Sequence, residues 1–310
     1  MPRVALVSYA TENFKAVRED LNESALQFGI SDIFSYDQND LHRSTYYERN
    51  KVILDEICGA GYWAWKPHFI LEALNRLEEG DILFYCDAGS LFVKSPAPLI
   101  ELCHKIPLGL MLFDAQPLLN RQFTKRDCFV RMGCDEAIYW NATEVIATIL
   151  VLRKCAFLIN FLKEWLHYCQ DRAAISDDPN ISGKSDLPGY LQHRWDQAIL
   201  SVLAAKHNIV TFRNPTHWGN FLKMPEFRVP GEPVTSPYNL IPQINSYAGK
   251  PQSNSPYGTI FAINRQPNMV GKSPLLKHVN SPTNAKRQSI QMFRSMTARL
   301  RKVFPSLKII

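Results

Sequence analysis

Residues 79–91 read Glu79-Gly80-Asp81-Ile82-Leu83-Phe84-Tyr85-Cys86-Asp87-Ala88-Gly89-Ser90-Leu91. An unbroken apolar run, Ile82 to Cys86, stops at a carboxylate, and two small residues follow it. A short apolar run bounded by turn residues is the pattern of a strand buried on both faces. In open α/β sheets, ligands bind beyond the carboxyl ends of the strands. An acid placed there, followed by residues small enough for close approach, can present a divalent ion to a diphosphate. The plainer alternative for Asp87 is a strand-end acid that caps the next turn.

The segment upstream bears on that choice. Residues 59–67 are Gly59-Ala60-Gly61-Tyr62-Trp63-Ala64-Trp65-Lys66-Pro67. Glycines admit backbone conformations closed to other residues. Pro67 suits the first turn of a helix, expected to run from about Pro67 to Leu77. Aromatic rings beside a Gly-rich loop, with a lysine at a helix start, suit a base or sugar together with a phosphate. A core-packing aromatic cluster is the bland reading of the same residues.

Working outward, Val4–Ser8 reads as a first strand and Phe14–Phe28 as the amphipathic helix after it. Asp32–Tyr36 is a short strand and Tyr46–Ile57 a helix. Ala97–His104 is a short helix, and Leu108–Phe113 a buried strand ending in Asp114. Val145–Leu152 is rich in β-formers, and Cys155–Cys169 is a helix. Residues 174–188 form a polar loop, Arg194–Lys206 a helix and Ile209–Phe212 a last strand. Strands and helices alternating at this spacing predict an α/β fold, a mainly parallel sheet with helices on both faces.

Together these segments resemble bacterial and viral sugar transferases of the GT-A (nucleotide-diphospho-sugar transferase) fold. Many of those contain a Gly-Tyr-Trp-x-Trp-Lys-Pro segment followed by a strand ending in Tyr-x-Asp-Ala-Gly. The resemblance continues through Thr124-Lys125-Arg126-Asp127, through His193-Arg194-Trp195-Asp196-Gln197-Ala198-Ile199-Leu200-Ser201, and into Asn214-Pro215-Thr216-His217-Trp218-Gly219-Asn220. It covers roughly residues 3–220. The resemblance implies a Rossmann-like domain that moves a sugar from a nucleotide-sugar donor, a UDP-sugar first, to a glycan or lipid-linked acceptor in surface polysaccharide synthesis. It implies nucleotide contacts at Ser8, Tyr9 and Ala10, after the first strand. Tyr62, Trp65, Lys66, Asp87, Ala88 and Gly89 would line the rest of the donor pocket. Arg126 would touch the donor sugar or diphosphate; a solvated charged turn is its alternative. The Asp196-Gln197 pair is similar to one at the donor sugar of retaining transferases of glycosyltransferase family 8, so both are candidate catalytic residues. Asp87 and His217 are the candidate ligands of a divalent metal, Mn²⁺ or Mg²⁺. The chain departs from the usual Asp-x-Asp metal motif, because Gly89 replaces the second acid. A non-catalytic nucleotide-sugar-binding protein is the competing reading. A Rossmann dehydrogenase is excluded, since no G-x-G-x-x-G follows the first strand.

Composition sets the frame. The chain has 310 residues and 46% apolar content, enough for a large core. Its seven cysteines are scattered with no C-x-x-C pair, which suggests neither a zinc ribbon nor a disulfide framework and fits a reducing cytosol. Val4 follows the start so closely that no secretory leader is expected. No apolar stretch reaches the ~20 residues of a membrane span. The net charge of +6 is divided: no acid follows Glu232, residues 233–310 carry +11, and residues 1–232 carry −5. The expected organisation is a globular domain over 1–232, a basic Pro-rich extension over 233–283 and a basic amphipathic helix over 284–310. In that last segment Met292, Phe293, Met296, Leu300, Val303 and Phe304 share a ~120° sector opposite Arg287, Arg294, Arg301 and Lys302. A helix of that kind reads as an anchor on an anionic membrane surface, with no nucleic-acid partner. The expected location is the cytoplasmic face of a membrane.

Overall fold

A computed structural model describes residues 2–216, 257 and 259–263. Within them, seven strands form two sheets. The main sheet contains β1 (Val4–Ala10), β2 (Asp32–Asp37), β3 (Ile82–Cys86), β5 (Leu110–Leu119) and β6 (Thr143–Arg153), in the order β2-β1-β3-β6-β5. β1 is parallel to both β2 and β3, while β6 is antiparallel to β3 and to β5. Four strands thus share one direction and β6 alone opposes them. The fold is α/β with a mainly parallel sheet, as the alternation of elements requires.

β3 shows why the sequence folds this way. All five of its residues are fully buried. Leu83 and Tyr85 point into the layer holding the helices Trp65–Asn75, Ala156–Cys169 and Trp195–Lys206. Ile82, Phe84 and Cys86 point into the layer holding Lys15–Gln27 and Ala97–Lys105. A strand covered on both faces has no polar side, hence its continuous apolar run. Removing the Phe84 ring from that environment would cost about 3–5 kcal/mol.

Three expectations are corrected. Ile209–Phe212 is no strand: among the described residues it pairs with β5 through a single bridge, Phe212 to Phe113. Asp114 does not end its strand, since β5 runs on to Leu119 through irregular register. The Gly59-Ala60-Gly61 loop is a tight turn, and the helix after it starts at Trp65 rather than Pro67. Part of the segment read as a Pro-rich extension belongs to the body. β7 (Phe261–Ile263) pairs antiparallel with β4 (Ser90–Phe92), and Phe261 is fully buried against Phe92 and Phe84. His217, most of 233–283 and all of 284–310 lie outside the described residues.

Candidate active site

The carboxyl ends of β1 and β3 open on the same edge of the sheet, since the two strands are parallel neighbours. Beyond β3, Asp87 anchors its backbone N–H to the Thr148 carbonyl of β6. Tyr85 precedes it by two positions, so both side chains fall on one face. The Tyr85 hydroxyl donates to Asp87 Oδ1 at 2.6 Å.

Lys66 reaches the same carboxylate. Its Nζ lies 3.4 Å from Asp87 Oδ1 and 2.7 Å from Asp196 Oδ2, and donates to the Ala147 carbonyl at 3.0 Å. The ammonium thus bridges two acids that arrive from distant parts of the chain. Lys66 is 2% exposed and Asp196 3%, whereas the Asp87 side chain keeps 29% of its surface. Burial by itself would lower the Lys66 pKa; Asp196 and then Asp87 outweigh burial and hold it above its ordinary value. For Asp196 burial dominates. It drives the carboxyl up to about 6, and Lys66 only partly pulls it back.

Asp196 and Gln197 sit in the first turn of the helix Trp195–Lys206. That helix covers the stretch of β6 that extends past the end of β3. Gln197 Oε1 accepts from Ala147 N–H at 3.4 Å and Ser201 Oγ from Val145 N–H at 3.0 Å, satisfying an otherwise open strand edge. Gln197 Nε2 donates to Glu144 Oε1 at 2.8 Å, and Arg194 pairs with Glu144 Oε2 at 2.6 Å. Glu144 is fully buried, and burial raises its pKa despite Arg194 and Gln197. Trp165 Nε1 donates to the Asp196 carbonyl at 3.0 Å, fixing the backbone that carries the acid.

Tyr9, at the end of β1, stacks on Trp65 with ring centroids 4.0 Å apart. Its hydroxyl and that of Ser8 are buried and have no hydrogen-bond partner among the described residues. Burial, followed by Asp37 and Asp40, raises the Tyr9 pKa to about 12, so it is a neutral donor awaiting an acceptor. Ala10 closes β1, and Ala88 and Gly89 make the bend between Asp87 and β4.

The turn between Cys58 and Lys66 is strained. Gly59, Ala60, Gly61, Tyr62 and Trp63 all have positive φ, at 60°, 50°, 96°, 54° and 58°. Three of these are not glycine, and each left-handed residue with a Cβ costs roughly 1–2 kcal/mol. Such strain persists only where packing over-determines it, and it clusters at functional sites. Here it carries Trp65 and Lys66 inward, with Trp65 Nε1 donating to the Gly59 carbonyl at 3.1 Å.

Arg126 belongs to a different network. It pairs with Asp135 at 2.7 Å and lies 4.9 Å over the Trp140 ring. Its neighbours tether residues 176–182: Lys125 Nζ donates to the carbonyls of Ser176 and Asp178, and Asp127 accepts from the N–H groups of Ile181 and Ser182. His193 is buried, accepts from Lys125 N–H, and is held neutral with a pKa near 3 by burial and then Lys125.

The structure therefore brings Lys66, Asp87 and Asp196 into one cluster, with Tyr9 of β1 stacked on Trp65 beside it. Tyr85, Glu144 and Trp195 complete the surroundings and were not singled out from sequence. Tyr85 was legible, two residues before Asp87 on one strand face. Glu144 was not, because its partners come from a later helix. Among the described residues no three His, Cys, Asp or Glu side chains gather as a metal site. Asp87 can supply one ligand oxygen, Oδ2, since both contacts above fall on Oδ1. Two carboxylates share one ammonium, which suits a further cation.

No protein-family model and no curated protein matches the chain. Among solved structures it is similar to the apo form of mouse xyloside xylosyltransferase 1, at 9% identity and a TM-score of 0.44, over 85% of this chain and 98% of that one. It is similar to the galactosyltransferase LgtC solved with donor and acceptor sugar analogues, at 12% identity and a TM-score of 0.35, over 85% and 87%. It is also similar to the apo WbbM bifunctional glycosyltransferase, at 11% identity and a TM-score of 0.37, and spans 37% of that chain's length. Likeness at this level bears on no residue and no reaction.

Proposed function

We propose that the protein is a glycosyltransferase, moving a sugar from a nucleoside diphosphate sugar, a UDP-sugar first, to a glycan or lipid-linked acceptor of a surface polysaccharide. The observation that carries this reading is the Lys66–Asp87–Asp196 cluster at the carboxyl edge of the sheet, beside a neutral buried Tyr9. In the reaction the C1–oxygen bond to the diphosphate breaks and the acceptor oxygen bonds C1. The acceptor proton leaves with the departing diphosphate.

Asp87 is the open member of the cluster and faces the diphosphate. A diphosphate would be repelled by two carboxylates that share one ammonium, so a divalent ion held by Asp87 Oδ2, with His217 as the second candidate ligand, would supply the missing positive charge. Lys66 holds both acids in place. Asp196 stabilises positive charge developing at the anomeric carbon, and the resemblance of the Asp196-Gln197 pair to that of retaining transferases favours retention. Ser8 and Tyr9 offer their unpaired hydroxyls to the nucleotide, with Tyr62 and Trp65 lining it. The membrane surface would be reached through residues 284–310. Among the described residues no helix is long and apolar enough to cross a membrane.

The test is calorimetric binding and hydrolysis of a panel of nucleotide sugars, with Mn²⁺ and with EDTA. Binding of one donor, turnover that needs Mn²⁺, and loss of turnover by orders of magnitude in Asp87→Asn are expected. Failure to bind any donor sinks the reading. A second reading, a non-catalytic nucleotide-sugar-binding protein, is favoured by the depth of Lys66 and Asp196, whose charges satisfy one another internally. Tight donor binding without hydrolysis or transfer would select it.

A further inference from the structure

The two tryptophans that flank the cluster are built differently from the other indoles nearby. Trp65 and Trp165 are buried. Trp63 and Trp195 are half-buried, and their rings pack at 5.0 Å between centroids and 35° between planes. Both have left-handed backbones, at φ 58° and 44°. Trp195 directly precedes Asp196, and Trp63 lies three residues before Lys66. Strained backbone on both sides of one contact, next in sequence to Asp196 and three residues before Lys66, exceeds what a packing role for half-exposed rings requires.

A polar rim completes the surface. Trp195 Nε1 donates to Asp177 Oδ2 at 2.9 Å, and Asp177 is exposed. The loop that carries it is held from three sides. Lys125 Nζ donates to the Asp178 carbonyl at 2.6 Å, Arg172 pairs with the Asp178 carboxylate at 2.7 Å, and Asp127 takes the Ile181 N–H at 2.6 Å. The rim is therefore preorganised, with the exposed Asp177 carboxylate able to accept hydrogen bonds from hydroxyls at the edge of an indole surface.

We infer that Trp63, Trp195 and Asp177 form the acceptor subsite, and that its occupant is a neutral pyranose. The inference rests on the glycosyl-transfer reading. The apolar C–H face of a pyranose lies against the indole pair, as amphipathic aromatic surfaces allow. A ring hydroxyl donates to Asp177. A sugar bearing a carboxylate or phosphate would be repelled there. An adjacent hydroxyl of the seated ring is then carried towards the donor carbon beside Asp196. Its oxygen bonds that carbon as the carbon–oxygen bond to the diphosphate breaks, and its proton leaves with the diphosphate.

Trp63→Ala and Asp177→Asn separate this from a structural role. Donor hydrolysis, with water as acceptor, is measured beside transfer to methyl glucoside, methyl galactoside and methyl glucuronide. The expected result is a rise of about tenfold or more in acceptor KM for Trp63→Ala, and about threefold or more for Asp177→Asn. In Asp177→Asn, which lies outside the turn that positions Lys66, donor hydrolysis should stay within about threefold of wild type, and the glucuronide should be the poorest acceptor. Unchanged acceptor KM in both variants, or a parallel fall in hydrolysis and transfer in Asp177→Asn, overturns the subsite. If the wild type binds no nucleotide sugar, the transfer reading fails by itself. Saturation-transfer NMR with the same methyl glycosides then decides the subsite: signals lost in Trp63→Ala support it, and no signal from wild type overturns it.

Discussion

Lys66 is a buried cation whose donors go to Asp196, Asp87 and the Ala147 carbonyl. Removing it leaves two carboxylates facing one another with no counter-charge. Breaking a buried ion pair from one side costs about 3–5 kcal/mol. Lys66→Met should therefore lower unfolding stability by that amount in urea titrations, and a loss under about 1 kcal/mol would show that the acids are solvated. Asp196 makes a pH prediction. An unfolded Asp titrates near 3.9, and in the folded protein this one titrates at about 6. Between those values the folded state holds a proton that the unfolded state has lost. The stability contributed by this group is full below about pH 4 and is lost as pH rises to about 6. The stability of Asp196→Asn measured against wild type should therefore rise with pH across that window, by about 3 kcal/mol, on top of a pH-independent loss from breaking the pair with Lys66. The kcat/KM for donor hydrolysis by wild type should fall below about pH 6, as the carboxylate protonates. A flat profile from pH 5 to 7 would remove Asp196 from the chemistry.

At the scale of elements, the turn at residues 59–63 decides where Lys66 lies. Gly61 is where it packs against backbone. Its φ is +96°, and a Cβ placed there would come within 2.6 Å of the Leu54 Cα. Since that neighbour is backbone, it cannot rotate away. Gly61→Ala should cost about 1–3 kcal/mol and weaken donor binding with it, as the turn re-aims Lys66. Thermal melts and calorimetry on the one variant test both parts, and a wild-type melting temperature would mean that the turn relaxes freely. The helix Trp195–Lys206 plays the complementary role. Its side chains satisfy β6 where β3 no longer does, and so its first turn delivers Asp196 to the cluster.

At the scale of the whole molecule, charge divides the chain into a body of net −5 and a segment after residue 232 of net +11. The body reaches into that segment, because β7 seals the layer over β4. A chain ending near Thr283 keeps β7 and should keep donor hydrolysis. Residues 284–310 hold seven Lys or Arg and no acid, and each basic group at an anionic surface contributes roughly 1 kcal/mol. Full-length protein should sediment with anionic liposomes at low salt and be released at high salt, while the shortened chain stays in solution. Equal sedimentation of both would leave the basic segment without this role.

Local physics was enough for much of this. The apolar run of β3, its terminal Asp87 and the Tyr85 on the same face follow from period-2 alternation and burial, which act over a few residues. The helix behind Lys66 and the α/β class follow from patterning in the same way. The failures have one cause: they depend on partners far along the chain. Ile209–Phe212 has strand-forming residues but meets β5 at one bridge only. Phe261–Ile263 lies in a Pro-rich segment and is a strand because β4 offers it an edge. Lys66, read as a point charge for a phosphate, has its two acid partners set in the same way, since the fold brings a late helix onto β6. Local sequence sets which groups are present and which way a strand presents them. Which groups share a charge, and at what pKa, is set by long-range packing, because burial and Coulomb energy depend on what the folded chain places within a few ångströms.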